Sequence, residues 1–355
     1  MISPQLYQEI LDGRRFNPLA VVARCGLRLA SIPYGLVVDQ RNRQFDNGRR
    51  EVHRVDVPVI SVGNLTVGGT GKTPFVAWLA RWFRNEAVRV SLISRGYGAA
   101  DGQRNDEAKE LEARLPDVPH LQNADRVAAA RIAIEELETQ LIILDDAFQH
   151  RRIHRDLDIV LLDATQPFGF GYLLPRGLLR EPAHQLKRAQ VVAITRCDLV
   201  DEAALAKLRA KVKQLAPQAT CVEVAQQPTQ LLSASGSTAA VEVLSGKPTL
   251  ACCGIGNPRA FFTTLEQQGV SLVDTRALPD HCPFDRAIMK QLTTWVSEHP
   301  SAQLAVCTHK DLVKIASDRL GRLPLYALQM DLCITAGLAE LETRLRELLV
   351  RIPPE

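Results

Sequence analysis

A glycine-rich stretch followed by a lysine and a threonine is the most informative feature of the sequence. Residues 59–74 read Val-Ile-Ser-Val-Gly-Asn-Leu-Thr-Val-Gly-Gly-Thr-Gly-Lys-Thr-Pro. The apolar start predicts a strand, and the final proline is typical of the first turn of a helix. In such a strand–loop–helix unit, backbone N–H groups surround phosphate oxygens and the helix N-terminus adds partial positive charge. The residues predicted to contact a nucleotide are Gly68, Gly69, Thr70, Gly71, Lys72 and Thr73, with Lys72 at the β- and γ-phosphates and Thr73 on Mg²⁺.

This loop departs from the strict phosphate-loop pattern, which has a glycine five residues before Gly71. Thr66 stands at that position, so the match depends on the Gly-Lys-Thr core, with the loop glycines displaced to Gly68 and Gly69. An ordinary glycine turn is the alternative. The position of the core between a predicted strand and a predicted helix favours nucleotide binding.

Two consecutive carboxylates follow an apolar run downstream of the loop. Residues 141–146 read Leu-Ile-Ile-Leu-Asp-Asp, which predicts a buried strand with Asp145 and Asp146 at its end. In proteins with a phosphate loop, an acidic residue in this place binds the Mg²⁺ of the nucleotide. A plain strand-end turn is the alternative.

Short apolar runs alternate with helical stretches from residue 57 onwards. Continuous apolar strands separated by helices predict a parallel sheet covered on both faces. We therefore expect an α/β fold of the P-loop NTPase type, plus a smaller second α/β domain. The predicted strands are 57–62, 88–93, 141–144, 159–162, 191–194, 249–253 and 304–308, and the predicted helices are 74–83, 126–137 and 259–268.

The composition divides the chain of 355 residues, which is long enough for two hydrophobic cores. Residues 226–247 are rich in Gln, Ser, Thr, Gly and Pro, which predicts a linker. We expect an N-terminal segment at 1–40, a P-loop domain at 41–235 and a smaller C-terminal α/β domain at 236–355.

The N-terminal segment is apolar between residues 17 and 38, but Arg24, Arg28 and Pro33 interrupt it. A membrane-spanning helix needs about 20 apolar residues with few charges, so the segment falls short of that pattern. The two arginines are four residues apart and share one face of a helix. The pattern favours an amphipathic helix lying at a membrane surface. A surface helix docked on its own domain is the alternative.

Charge and cysteine content exclude other classes. The net charge of +3 gives no general argument for nucleic acid, and residues 1–56 alone carry nine arginines against six acids. The eight cysteines form no CxxC pair and several lie in apolar runs. Buried thiols in a reducing cytosol are therefore favoured over disulfides or zinc. No signal peptide is apparent, which indicates a protein inside the cell.

Three classes of P-loop protein remain open on these residues: kinases, GTPases and membrane-recruited ATPases. The core of the loop resembles that of partitioning-type ATPases, but those carry a lysine where Val67 stands. Residues 195–198, Thr-Arg-Cys-Asp, follow a strand as the base-reading loop of a GTPase does, but they lack its Asn-Lys pair. Both departures argue against a nucleotide switch that recruits partners to a membrane.

Five stretches in a fixed order extend the comparison over most of the chain. They are Val62-Gly-Asn-Leu-Thr-Val-Gly-Gly-Thr-Gly-Lys-Thr-Pro, Ser94-Arg-Gly-Tyr-Gly, Leu144-Asp-Asp-Ala-Phe-Gln-His, Leu174-Pro-Arg-Gly-Leu-Leu-Arg-Glu-Pro and Pro279-Asp-His. With these stretches the chain resembles the tetraacyldisaccharide 4'-kinase family of lipid A synthesis. The resemblance implies transfer of the γ-phosphate of ATP to the 4'-hydroxyl of an acylated glucosamine disaccharide 1-phosphate. It also implies two α/β/α domains, with the C-terminal domain closing the cleft that binds the nucleotide.

The resemblance implies further catalytic residues. Asp106 matches the family's catalytic base, and His281 matches its histidine partner. Asn105 and Ala108 replace the glycine and proline of the family's Gly-Asp-Glu-Pro pattern. Arg180 matches a residue that holds phosphate oxygens.

The resemblance also implies metal and nucleotide contacts. Glu181 joins Thr73, Asp145 and Asp146 as a metal ligand. The alternative for Arg180 and Glu181 is a solvated surface pair. Tyr97 and Arg126 match nucleotide-site positions of the family, where packing for Tyr97 and a helix-terminus charge for Arg126 are the alternatives. Gln149 and His150 follow the two carboxylates in sequence and are expected to line the same nucleotide cleft.

The expected cofactors are therefore ATP and Mg²⁺. The expected partners are the acylated disaccharide lipid and, through residues 1–40, the membrane surface, with no nucleic acid. We expect a peripheral protein at the cytoplasmic face of the bacterial inner membrane.

Overall fold

The computed structural model describes residues 11, 17–96, 106–280 and 282–352. The helices are α1 Pro18–Asp46, α2 Lys72–Asn85, α3 Asp106–Arg114, α4 Arg126–Leu137, α5 Glu202–Leu215, α6 Pro258–Gln267, α7 Arg286–Glu298, α8 His309–Ile315 and α9 Leu338–Leu349. The strands are β1 Val59–Asn64, β2 Val90–Ser94, β3 His120–Gln122, β4 Leu141–Asp145, β5 Leu157–Asp163, β6 Val191–Thr195, β7 Thr220–Leu232, β8 Thr238–Ala239, β9 Pro248–Cys253, β10 Ser271–Ala277, β11 Leu304–Thr308, β12 Arg319–Leu320 and β13 Leu323–Ala336.

The chain forms two compact units, one of residues 1–225 and 334–355 and one of residues 226–333. The division differs from the expected domains, because residues 334–355 belong to the first unit. These residues contact β7 within the first unit: the hydroxyl of Thr335 donates to the backbone oxygen of Glu223 at 3.3 Å. A side chain at Gly337 would lie 2.5 Å from the backbone oxygen of Cys221.

The first unit contains a parallel sheet in the order β7-β6-β5-β1-β4-β2-β3. Strands β1, β2, β4, β5 and β6 are fully buried, as expected when helices cover both faces. Helix α4 contributes to a core with β1, β2 and β4, and helix α5 contributes to another with β5 and β6. The predicted α/β fold is confirmed.

Strand β1 lies between β4 and β5, and this order positions the site. Val62 pairs with Asp145, so the glycine loop after β1 and the carboxylates after β4 leave the same edge of the sheet. Gly63 is required here, because a Cβ at this position would lie 2.7 Å from the backbone nitrogen of Phe148. The close approach of the two strand ends depends on the missing side chain.

The second unit contains the parallel pairs β10-β9, β9-β11 and β11-β13. The short strand β12 is antiparallel to β13. The hydrophobic core of the second unit includes Trp295, Leu292 and Leu250. The expected linker at 226–247 is instead largely structured: β7 continues to Leu232, and β8 pairs back on it. Polar residues suit this part of β7 because residues 226–230 are exposed or half-buried.

Helix α1 runs through Pro33 without ending, and Asn17 caps it by accepting from the backbone N–H of Ala20 at 2.9 Å. Its buried residues from Gly35 onwards are Gly35, Val38, Asn42 and Phe45, a spacing that forms one stripe on a helix. In the part of the chain that the structure describes, α1 is long and apolar enough to span a membrane by length and composition alone. This finding differs from the prediction that residues 17–38 fall short of a membrane span.

Candidate active site

The phosphate loop takes a conformation that requires glycine. Gly68 has φ +111° and Gly71 has φ +81°, and both values lie in the region that other residues avoid. Helix α2 begins directly after Gly71, with Lys72 and Thr73 in its first turn. The predicted strand–loop–helix unit is therefore present, with its helix N-terminus at the loop.

Two residues at the end of β6 hold the backbone of this loop. Thr195 Oγ1 donates to the backbone oxygen of Thr70 at 2.9 Å, and Arg196 Nη2 donates to the backbone oxygen of Gly69 at 2.9 Å. The C=O and N–H of one peptide unit point in opposite directions. The N–H groups of Thr70 and Gly71 therefore point away from these donors, which fixes the orientation that an anion-binding loop needs.

Asp146 brings two cationic side chains together beside the loop. Arg180 Nη1 donates to both carboxylate oxygens at 2.9 Å, and Lys72 Nζ lies 3.7 Å from Oδ1. Burial opposes ionisation of Asp146, but Lys72 and Arg180 outweigh it, so the pKa of this carboxyl is lowered. Asp146 is therefore charged at neutral pH, and the phosphate site holds two preassembled cations.

The oxygens near the loop suit Mg²⁺. Asp145 is buried at the end of β4, next to Asp146, and Thr73 is half-buried in the first turn of α2. Carboxylate and hydroxyl oxygens are the hard donors that Mg²⁺ prefers, and phosphates and water complete its shell. No group of three or more His, Cys, Asp or Glu residues fit to hold a metal occurs among the described residues. The donors present fit a Mg²⁺ ion bound mainly through a nucleotide.

The carboxylate of Glu181 is buried and is paired with two arginines other than Arg180. Its exposed fraction is 0%, Oε1 accepts from Arg41 Nη2 at 3.1 Å, and Oε2 pairs with Arg188 Nη2. Burial raises the pKa of Glu181, with both arginines acting in the opposite direction. The solvated-pair alternative is wrong for this residue. Metal binding by Glu181 requires one of these two ion pairs to open.

Arg126 and the residues after β4 surround the same strand ends. Arg126 is 4% exposed, and burial lowers its pKa, with Arg95 acting in the same direction and Asp146 and Asp145 opposing. It is therefore a buried cation close to both carboxylates, at the first position of α4. Gln149 Nε2 donates to the backbone oxygen of Asn64 at 2.9 Å.

His150 lies next to Gln149 and is held neutral. Burial lowers its pKa to about 4, and Arg126, Arg152 and Arg155 act in the same direction. A neutral imidazole beside a nucleotide accepts or donates hydrogen bonds without adding charge.

Three predicted residues are not placed by the structure. Tyr97 and His281 lie outside the described residues, and helix α3 begins at Asp106 without a description of that side chain. Their roles stay predictions from the family resemblance.

Sequence analysis missed five residues that build the site: Tyr34, Arg41, Arg188, Thr195 and Arg196. A signal existed for the last two, because they follow a buried strand at the carboxyl edge of a parallel sheet, where ligands bind. Tyr34 and Arg41 contact Arg180 and Glu181 across 146 and 140 positions, and Arg188 lies seven residues after Glu181. No local pattern marks these three residues.

The eight cysteines are free thiols. Five are buried, among them Cys252 and Cys307, and burial raises the pKa of both well above its ordinary value. The structure agrees with the interpretation as buried thiols for these five, whereas Cys25 is exposed.

Comparison with known proteins gives a consistent result. The profile of a family described as tetraacyldisaccharide-1-P 4'-kinase matches residues 23–349. A tetraacyldisaccharide 4'-kinase of Geobacter metallireducens is 38% identical over 86% of this chain and 93% of its own length. One of Anaeromyxobacter sp. strain Fw109-5 is 37% identical over 97% of this chain and 96% of its own.

A solved structure agrees with these sequence relatives. LpxK of Aquifex aeolicus in complex with ATP superposes with a TM-score of 0.71 at 27% identity. The alignment covers 93% of this chain and 99% of that structure.

Proposed function

Because this chain belongs to the tetraacyldisaccharide-1-P 4'-kinase family, we propose that the residues gathered around Lys72 and Asp146 carry out its phosphoryl transfer. The chain is an ATP-dependent kinase of lipid A biosynthesis. It transfers the γ-phosphate of ATP to the 4'-hydroxyl of a tetraacyl glucosamine disaccharide 1-phosphate. In this reaction a new P–O bond forms at the 4'-oxygen, ADP leaves, and the hydroxyl proton passes to a base.

The loop binds the triphosphate. The N–H groups of Thr70 and Gly71 and the N-terminus of α2 face the phosphates, and Lys72 neutralises the β- and γ-phosphates. Gly68 and Gly69 leave space for the nucleotide, since no atom lies within 4 Å of a Cβ built at either position. This geometry supports a binding role for the whole loop.

Thr73, Asp145 and Asp146 would hold Mg²⁺, which would supply positive charge to neutralise the charge that develops during transfer. Arg126 adds a buried positive charge close to the same carboxylates. Gln149 and His150 extend the site beyond β4. Glu181 would join the metal ligands only after its ion pair with Arg188 opens.

The observation that carries this proposal is the joint pairing of Asp146 with Lys72 and Arg180. Phosphoryl transfer depends mainly on positioning and charge neutralisation. Two cations held at one carboxylate beside a glycine loop meet both needs. Arg180 then supplies a planar, permanently charged fork to the transferred phosphoryl group.

Asp106 is the proposed base for the 4'-hydroxyl, and His281 is the proposed partner that shares the proton. Tyr97 is proposed as a nucleotide contact. Support for these three residues comes from their positions in the family's sequence pattern.

Membrane attachment is proposed through the exposed face of α1, at the cytoplasmic face of the inner membrane. The apolar residues on this face are Leu19, Val22, Leu29, Ile32, Leu36 and Val37, each more than half exposed. An apolar stripe of this kind binds peripherally at a lipid surface.

The proposal is tested by following label from γ-labelled ATP into the acylated disaccharide 1-phosphate. Lys72→Ala is expected to lower turnover by about 10²- to 10³-fold, since one electrostatic contact to the transferring group is lost. Asp106→Ala is expected to remove transfer and leave ATP affinity unchanged. Lys207→Ala, on the exposed face of α5, is the matched control. Wild-type turnover in Lys72→Ala would contradict the nucleotide site, and wild-type turnover in Asp106→Ala would contradict the base.

A further inference from the structure

One face of α1 contacts two consecutive residues, Arg180 and Glu181. The hydroxyl of Tyr34 donates to the backbone oxygen of Arg180 at 2.9 Å. Arg41 Nη2 donates to Glu181 Oε1 at 3.1 Å. Tyr34 and Arg41 are seven residues apart, which is two helical turns, so their side chains share a face. Helix α1 therefore holds both the backbone of Arg180 and the carboxylate that follows it.

The carboxylate of Glu181 links this contact to the loop after β4. Its second oxygen pairs with Arg188, and the Arg188 guanidinium lies over the ring of Phe148, 4.1 Å from the ring centroid. Because Glu181 is fully buried, each arginine is a charged donor to a carboxylate shielded from water, and removal of Arg41 would leave Oε1 without this charged donor. The ion pair with Arg41 is therefore unlike an exposed surface pair, which contributes little.

The same segment also pairs with the phosphate loop. The N–H of Val67 donates to the backbone oxygen of Leu178 at 2.8 Å, and the N–H of Arg180 donates to that of Leu65 at 2.7 Å. Residues 178–181 thus connect α1 with the start of the glycine loop. All of these contacts lie within the first unit.

From these contacts we infer that Tyr34 and Arg41 are positioning residues for phosphoryl transfer. They hold residues 178–181 so that the guanidinium of Arg180 stays at Asp146, next to Lys72. Helix α1 then contributes to the reaction itself, separately from any attachment of its exposed face to lipid. The inference rests on the proposed role of Arg180 in transfer.

The first test measures kcat and KM in detergent micelles, where attachment to a bilayer does not limit the reaction. Tyr34→Phe removes one hydroxyl and is expected to lower kcat by about 3- to 10-fold, the effect of one hydrogen bond, with KM for ATP nearly unchanged. Ser31→Ala is the matched control, because Ser31 lies on the same helix and donates only to the backbone oxygen of Arg28. A Tyr34→Phe enzyme with wild-type kcat would overturn the inference.

A double-mutant cycle then asks whether Tyr34 acts through Arg180. If it does, Tyr34→Phe causes no further loss of kcat in an Arg180→Ala background, whereas independent residues show additive effects. Equal losses in both backgrounds would overturn the positioning role while leaving the role of Arg180 intact. Wild-type turnover in Arg180→Ala alone would instead overturn the proposed function of Arg180, and the inference with it.

Substitutions of Arg41 test the inference independently of Tyr34. Arg41→Gln removes the charge facing buried Glu181 and is expected to lower kcat by about 10-fold or more. Arg41→Lys keeps a charge within reach of Glu181 and is expected to restore most of that loss. Equal kcat in the Gln and Lys variants, with equal melting temperatures, would contradict a role for the ion pair. Co-sedimentation with anionic phospholipid vesicles is expected to be unchanged in both Tyr34→Phe and Arg41→Lys.

Discussion

Burial, together with Arg126, Arg152 and Arg155, lowers the pKa of His150 to about 4, while Asp125 acts in the opposite direction. Among the described residues its buried Nε2 has no hydrogen-bond partner, so a proton there would have no acceptor. Burial therefore favours a neutral ring in the folded chain. This preference for the neutral ring makes the free energy of unfolding depend on pH.

The unfolded chain binds a proton at His150 near pH 6.5, whereas the folded chain binds it only near pH 4. The contribution of His150 to stability is therefore complete above pH 6.5 and is lost as pH falls from 6.5 towards 4. We expect wild type to lose about 1–2 kcal/mol more unfolding free energy than His150→Gln between pH 7.5 and pH 5. Urea denaturation at the two pH values measures this difference. Parallel losses in the two proteins would contradict the assignment.

At the scale of elements, the end of β6 acts as a support for the phosphate loop. Thr195 is 4% exposed and its hydroxyl donates to the backbone oxygen of Thr70. We expect Thr195→Val to weaken ATP binding by about 3- to 10-fold, because one loop carbonyl loses the donor that orients its peptide. Thr195→Ser should retain binding. Titration calorimetry with a non-hydrolysable ATP analogue measures the affinity.

Thr249→Val is the matched control for this change. Thr249 is also fully buried, and its hydroxyl donates to the backbone oxygen of Lys247, but it belongs to the second unit. Loss of the Thr249 hydroxyl should leave ATP affinity unchanged. If Thr195→Val bound the analogue as tightly as wild type, the support would not control the loop.

Local patterns predicted the elements that have clear ends. Helix α4 was predicted at 126–137 and is found at Arg126–Leu137, because Asp125 accepts from the N–H groups of Val127 and Ala128 and begins it sharply. Strand β1 was predicted two residues early, since Gly63 and Asn64 look like loop residues yet are fully part of the buried strand. Side-chain type alone does not reveal that Gly63 is required by Phe148, which follows the neighbouring strand β4.

The candidate site was predictable only where it is local in sequence or follows from strand order. The loop from Gly68 to Thr73 is contiguous, and the meeting of Lys72 with Asp146 follows once β1 and β4 are neighbours. The pairing of Arg41 with Glu181 joins residues 140 positions apart. No periodicity or composition links two such residues, so only the folded chain shows that Glu181 is enclosed by arginines.

At the scale of the whole molecule, attachment to lipid is expected to depend on the exposed side chains of α1. Leu29 and Leu36 are 68% and 67% exposed, seven residues apart on one face. The pair of substitutions Leu29→Glu and Leu36→Glu should reduce co-sedimentation with anionic vesicles by about 10-fold or more, because two apolar anchors are replaced by charges that the lipid repels. The melting temperature should change little, since neither residue is buried.

Val350→Glu is the control for this prediction, since Val350 is 87% exposed and lies at the other end of the chain. It adds a carboxylate without touching α1. Vesicle binding that is equally weakened by Val350→Glu would show a general charge effect, and unchanged binding of the α1 variant would refute attachment through this face.

Residues 334–355 belong to the first unit although they follow the second unit in sequence, and this order affects folding during synthesis. A ribosome completes the glycine loop, β4 and β6 long before it releases Gly337 and α9, which belong to the same unit. Residues 226–333 emerge in between and have their own core. The packing of the first unit is therefore complete only after residues 334–355 have been made, whereas residues 226–333 are free to fold earlier.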